Sequence, residues 1–144
     1  MEVFTIGFTQ STAAHFFERI RDAGIKRLLD VRLNNTSQLS GFAKRDDLAF
    51  FLRELCSADY VHEPLLAPTQ EMLDRYRKEG HVWADYEQKF LRLLLSRKVE
   101  TLNKAPFLSP TVLLCSEATP ELCHRRLALE YLQQHWNDLT ITHL

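Results

Sequence analysis

Neither sign of charge dominates this chain. Lys and Arg number 18 against 19 Asp and Glu, for a formal net charge of -1 over 144 residues. A global positive field that would collect nucleic acid or anionic lipid is thereby excluded, although a local basic patch is not. Cysteine is scarce and odd in number, with 3 residues. A chain of this length buries about two thirds of the surface it exposes when unfolded. It needs no covalent staples, and a disulfide scaffold is not expected. Long apolar runs are missing as well. Leu93-Leu94-Leu95 is among the longest, far short of a membrane span. The opening Met1-Glu2-Val3-Phe4-Thr5-Ile6-Gly7 has no basic n-region and no apolar stretch of signal-peptide length. These absences predict a cytoplasmic protein in a reducing compartment, with no membrane partner. There is no GxGxxG loop, no Walker A loop and no CxxC pair, so neither standard nucleotide fingerprint applies. Internal repeats, low-complexity tracts and linkers are absent too.

What is present is a globular average. Hydrophobic residues make up 45% and charged residues 26%, which fits a single domain over residues 1–144. Val3 to Ile6 is a short β-rich run closed by Gly7. Thr9 to Thr12 supplies N-cap residues for a helix over 13–23, with Phe16, Phe17 and Ile20 at helical spacing and Gly24 behind it. Lys26 to Val31 reads as a second strand, so the first 31 residues form a parallel strand–helix–strand unit. A polar loop from Arg32 to Lys44 follows. Asp46 and Asp47 open a helix carrying Leu48, Phe51, Leu52 and Leu55. Ala58 to His62 is a short third strand, and Glu63 to Thr69 a loop. Helices are predicted over 70–79 and 83–103. Thr111 to Cys115 is continuously apolar, as in a strand buried on both faces. Thr119 and Pro120 carry the signature of a helix start, with the helix running to Gln134 or His135. Leu139 to Thr142 completes the set. The alternation predicts an α/β domain: three layers, a mostly parallel sheet and helices on both faces, Rossmann-like or flavodoxin-like.

In open parallel sheets, ligands bind beyond the carboxyl ends of the strands. Three segments lie there. Thr9 and Ser11, with nearby amides at a helix start, offer an anion-binding corner, or plain capping. Arg32 is placed to grip a phosphate or carboxylate with its fork, or to pair with Asp30. The third segment joins Cys115-Ser116-Glu117 to Cys123-His124-Arg125. There a thiol near a helix start is open to activation. Three functional readings compete. Cys115 is a nucleophile or redox thiol with Cys123 resolving it. Or Cys115, Cys123 and His124 hold zinc, with His62 or Glu117 as fourth ligand, although the C-x7-C-H spacing matches no standard zinc pattern. Or His124 and Arg125 bind the anionic part of a substrate, with Glu117 or His124 moving protons. The bland alternative is two small buried hydrophobes beside a satisfied histidine. Cys56 reads as core. Tyr60, His62 and Glu63 are near enough to a strand end to line the same cleft. Trp83, Tyr86 and Phe90 read as core or interface, and the charges from Arg75 to Glu79 as a solvated face.

Thr5-Ile6-Gly7, Asp30-Val31-Arg32, Leu114-Cys115-Ser116-Glu117 and Cys123-His124-Arg125 together resemble the family called domain of unknown function 488. The similarity spans nearly the whole chain, and the last motif is its most specific mark. The resemblance implies a compact α/β domain of bacterial and archaeal type, and carries no activity with it. By position it matches Arg32, Cys115, Glu117, Cys123, His124 and Arg125. This chain departs from the family pattern at Thr9, where serine is usual. It departs again at Asn34 to Ser37, where a proline-containing segment is usual, and at Leu66-Ala67-Pro68, where Leu-Gly-Gly is common. The expected function is binding of, or action on, a small phosphate- or carboxylate-bearing ligand such as a nucleotide. The alternatives are a non-catalytic module contacting protein or nucleic acid through Arg32 to Lys44 and Arg45, and a thiol redox or zinc site.

Overall fold

A computed structural model describes residues 1–36, 41–116 and 122–144. Its sheet contains β1 (Glu2–Gly7), β2 (Arg27–Asp30), β3 (Asp59–His62), β4 (Thr111–Cys115) and β5 (Thr140–His143). The order is β3-β2-β4-β1-β5, and every pairing is parallel. The three-layer α/β prediction holds. The strand order is neither the 3-2-1-4-5-6 of dinucleotide-binding folds nor the 2-1-3-4-5 of flavodoxin.

The helices are α1 (Ala13–Asp22), α2 (Arg45–Phe51), α3 (Gln70–Lys78), α4 (Trp83–Arg97) and α5 (His124–His135). Thr12 caps α1 by accepting from the His15 amide. A π-helical turn over Leu52–Cys56 extends α2 until Ser57 takes a left-handed conformation and ends it. Two helices differ from expectation. The apolar spacing predicts α4 to Asn103, but Lys98 turns left-handed (φ 53°) and closes it at Arg97, with Val99–Thr101 as a separate turn. The capping signature puts the start of α5 at Thr119-Pro120. The helix begins instead at His124 with Cys123 as N-cap. Thr119 and Pro120 lie outside the described residues.

Alternation along the strands builds two cores. On one face Val3, Leu29, Leu113 and Cys115 pack beneath α4 and α5, around Phe90, Leu94 and Leu127. On the other, Ile6, Leu28, Val112 and Leu114 pack beneath α1 and α2, around Phe16, Ile20 and Leu48. Each such side chain contributes about 1.5–3 kcal/mol when fully buried. The chain leaving β2 heads for the α2 face, and the chain leaving β4 heads for the α5 face. Neighbouring strands whose connections diverge leave a crevice between their carboxyl ends. Among the described residues, no helix is long and apolar enough to cross a membrane.

Candidate functional site

A cleft of about 520 Å³ opens at that divergence, within the range usual for small-molecule sites. Arg32 lines it from the end of β2, and Cys115 from the end of β4. Cys123 and His124 line it from the start of α5, and the turn joining α3 to α4 closes the far side. Gly80 and His81 make that turn with successive positive φ angles of 77° and 61°. Gly80 adopts its angle without strain.

Arg32 is buried, 3% exposed, and so is Asp30. Both readings of this arginine meet here. Its Nε donates to Asp30 Oδ1 at 2.9 Å and its Nη2 to Oδ2 at 2.8 Å. The pair is therefore forked and fixed. The third nitrogen, Nη1, is buried without a hydrogen-bond partner among the described residues. Tyr60 Oη donates to Asp30 Oδ2 and accepts from Asn35. Burial first, and the Asp30 bond second, raise the Tyr60 pKa well above the ordinary tyrosine value. Phe8 lies under the guanidinium, 5.4 Å from ring centroid to Cζ.

The sulfurs of Cys115 and Cys123 meet at the cleft floor, paired as a disulfide. No disulfide scaffold is expected of this chain; the structure pairs Cys115 with Cys123, which the strand end and the start of α5 bring together, and leaves Cys56 a free thiol in the core. Burial pushes the Cys56 thiol up. Arg125 is fully buried, with Nη1 3.5 Å from Cys115 Sγ and 3.8 Å from Cys123 Sγ. His124 Nε2 donates to the Val31 carbonyl at 2.7 Å. Burial chiefly, with Arg125 adding to it, lowers the His124 pKa to about 4, against the opposing pull of the Val31 bond and Asp30. The ring is neutral at physiological pH, with Nδ1 carrying the lone pair.

The family model named Domain of unknown function DUF488 matches residues 12–132. The chain belongs to the DUF488 family. No curated protein and no solved structure matches it. In this DUF488 domain the motif residues Arg32, Cys115, Cys123 and His124 share one cleft, and Arg125 sits behind the sulfurs. Glu117 lies outside the described residues. Thr9 and Ser11 are not among the lining residues. Thr9 Oγ1 donates to the Ser116 carbonyl at 2.7 Å, tying the turn after β1 to the turn after β4. Ser11 bonds Thr12 and accepts from Arg19. His62 does not join the sulfurs, since its Nε2 donates to the Arg32 carbonyl. Glu63 caps the turn over Pro64–Leu66.

One wall of the cleft escaped the sequence reading. Tyr76 and Arg77 of α3, His81, and Trp83 and Tyr86 of α4 line it together. Trp83 and Tyr86 stack at 5.2 Å, and Tyr76 leans on Tyr86 at 5.0 Å. Phe90 stays in the core, edge-on to His124. The available signal was the local density of aromatic and basic residues on both sides of Gly80.

Proposed function

We propose that the cleft binds a small planar ligand bearing a phosphate or carboxylate, with a nucleoside 5′-monophosphate as the representative chemistry. The observation that carries this reading is Arg32. Arg32 lines the cleft, its guanidinium is buried and locked by Asp30, and its Nη1 has no hydrogen-bond partner among the described residues. Buried polar groups are nearly always satisfied, and a ligand oxygen is the natural partner for one that lines a cavity. The pair with Asp30 aims the fork, so little side-chain entropy is lost on binding. Arg77 adds a second cation to the lining. Trp83, backed by the buried Tyr86 stacked against it, and Tyr76 supply the aromatic wall on which a base stacks, an arrangement worth about 1–3 kcal/mol per base.

Trp83 lines the cleft, whereas Trp136 is buried against Phe107. Fluorescence of the Trp136→Phe protein therefore reports on the site. Titration with uridine and adenosine 5′-monophosphates, and with inorganic phosphate, is expected to quench Trp83 with the nucleotides. Arg32→Lys, which keeps the charge and loses the fork, should weaken binding about tenfold, equivalent to 1.4 kcal/mol. Arg77→Ala, at a site that carries no fold contact to Asp30, should weaken it as well. Unquenched Trp83 at millimolar concentration of every probe, in folded protein, defeats the reading.

A further inference from the structure

We propose that the reduced cleft floor is a divalent-metal site, with Cys115, Cys123 and His124 as ligands and zinc as the ion that their donor set fits. The inference goes beyond the anion cleft and stands on different residues. One ligand atom from each of the three lies within 4.8 Å of the others. Tetrahedral zinc holds thiolate and imidazole donors about 3.3–3.8 Å from one another, given its usual bond lengths. The site is thus compact enough before any rearrangement of the backbone.

The Cα atoms of Cys115 and Cys123 are 7.4 Å apart. Ordinary disulfides span about 4.4–6.8 Å between Cα atoms. Two thiolates sharing one ion reach across a wider gap. The imidazole is already anchored at one nitrogen. Its Nε2 is committed to the Val31 carbonyl, so Nδ1 is the nitrogen with a lone pair to offer. A backbone carbonyl holding the far nitrogen is the usual outer support of a zinc-bound histidine. Arg125 Nη1 sits against both sulfurs. A guanidinium in that place favours thiolate over neutral sulfur.

On binding, two thiol protons leave to solvent. Two thiolates and a neutral imidazole then balance the charge of Zn²⁺. All three ligands line the cleft. Three protein ligands with an open fourth position is the pattern of reactive rather than purely structural zinc. The C-x7-C-H spacing resembles no zinc finger because the ligands come from a strand end and the following helix start, at the two ends of one connection.

The test uses the full chain, reduced with a phosphine and titrated with Co²⁺. Tetrahedral cobalt bands with thiolate-to-metal charge transfer are expected, saturating at one ion per chain and displaced by Zn²⁺. Cys56→Ser should keep the bands, while Cys123→Ser and His124→Ala lose them. Should those two variants fail to fold, alkylation of the wild type decides instead. Bound zinc should protect Cys115 and Cys123, as mapped by mass spectrometry. Reduced protein that binds no cobalt at micromolar concentration, with Cys115 and Cys123 equally alkylated with and without zinc, overturns the site and leaves a plain dithiol. The Trp83 titration is run with chelator present, so failure there and failure here are told apart.

Discussion

The face of the sheet under α1 and α2 and the face under α4 and α5 share every central strand, yet they are finished differently. Beneath α1 and α2 the interior is apolar, and Phe16, Phe17, Phe42 and Phe51 meet at ring separations of 5.0–5.8 Å. Beneath α4 and α5 the same strand β4 that sends Val112 and Leu114 to the first face sends Leu113 and Cys115 to the second. There the core ends in two sulfurs, a buried guanidinium and an open cleft. One face is spent on stability. The other gives up close packing at one end to hold groups that a core does not need. A test of that division asks whether stability and cleft behaviour can be changed separately.

The largest effect should come from Phe16→Ala, which empties the closed face. A loss of about 3–5 kcal/mol is expected in denaturant unfolding, with nucleotide quenching of Trp83 unchanged in the folded protein. A parallel loss of binding would mean that the faces are coupled. Asp30→Asn comes next. It leaves the buried Arg32 charge without its counterion, at a cost of about 3 kcal/mol. Because Asp30 also aims Arg32, this variant should lose ligand affinity too, and so joins the two properties at one residue.

Tyr60→Phe removes one bond to a buried carboxylate and should cost about 2 kcal/mol at neutral pH. It also carries a pH signature. The folded Tyr60 pKa is raised, while the unfolded chain titrates at about 10. Above that pH the unfolded state releases the proton first. The Tyr60 contribution is therefore complete below pH about 10 and is lost as pH climbs toward the folded value. Unfolding midpoints measured on either side of pH 10 should fall for the wild type and fall less for the variant. The smallest effect contrasts two neighbours on α3. Arg75 pairs with Glu71 on the exposed side at 3.2 Å, and Arg75→Ala should cost about 0.3 kcal/mol with no change in quenching. Arg77→Ala should weaken quenching and leave stability alone.

The central strand was plain in the sequence because a parallel strand buried on both faces is a continuous apolar run. Thr111 to Cys115 matches β4 end to end. The strand-end rule pointed to Arg32, Cys115, Cys123 and His124, and all four line the one cleft. Helix ends were harder. Leu102 keeps the apolar spacing of α4, but the left-handed turn at Lys98 has no side-chain signal. Thr119-Pro120 is a sound local capping pattern. The start of α5 is set instead where Cys123 is held beside Cys115, a contact between segments that local chemistry does not register. The α3–α4 wall was missed for a related reason. Helical periodicity says that Tyr86 and Trp83 face inward, and an inward face is the same pattern whether it meets a core or an empty cleft.

Strand β4 lies between β1 and β2, and this has a bearing on the order of events during synthesis. The chain's first two strands never pair with each other. Both neighbours of β1, residues 111–115 and 140–143, emerge long after it. A nascent chain short of residue 111 has the α1 and α2 segments but no sheet to lay them on, apart from the β2–β3 pair. Contacts of such sequence separation make folding slow. The floor of the cleft, carried on the end of β4, takes its place only when that central strand docks, so a truncated product should present no more than the β2–β3 pair and no site.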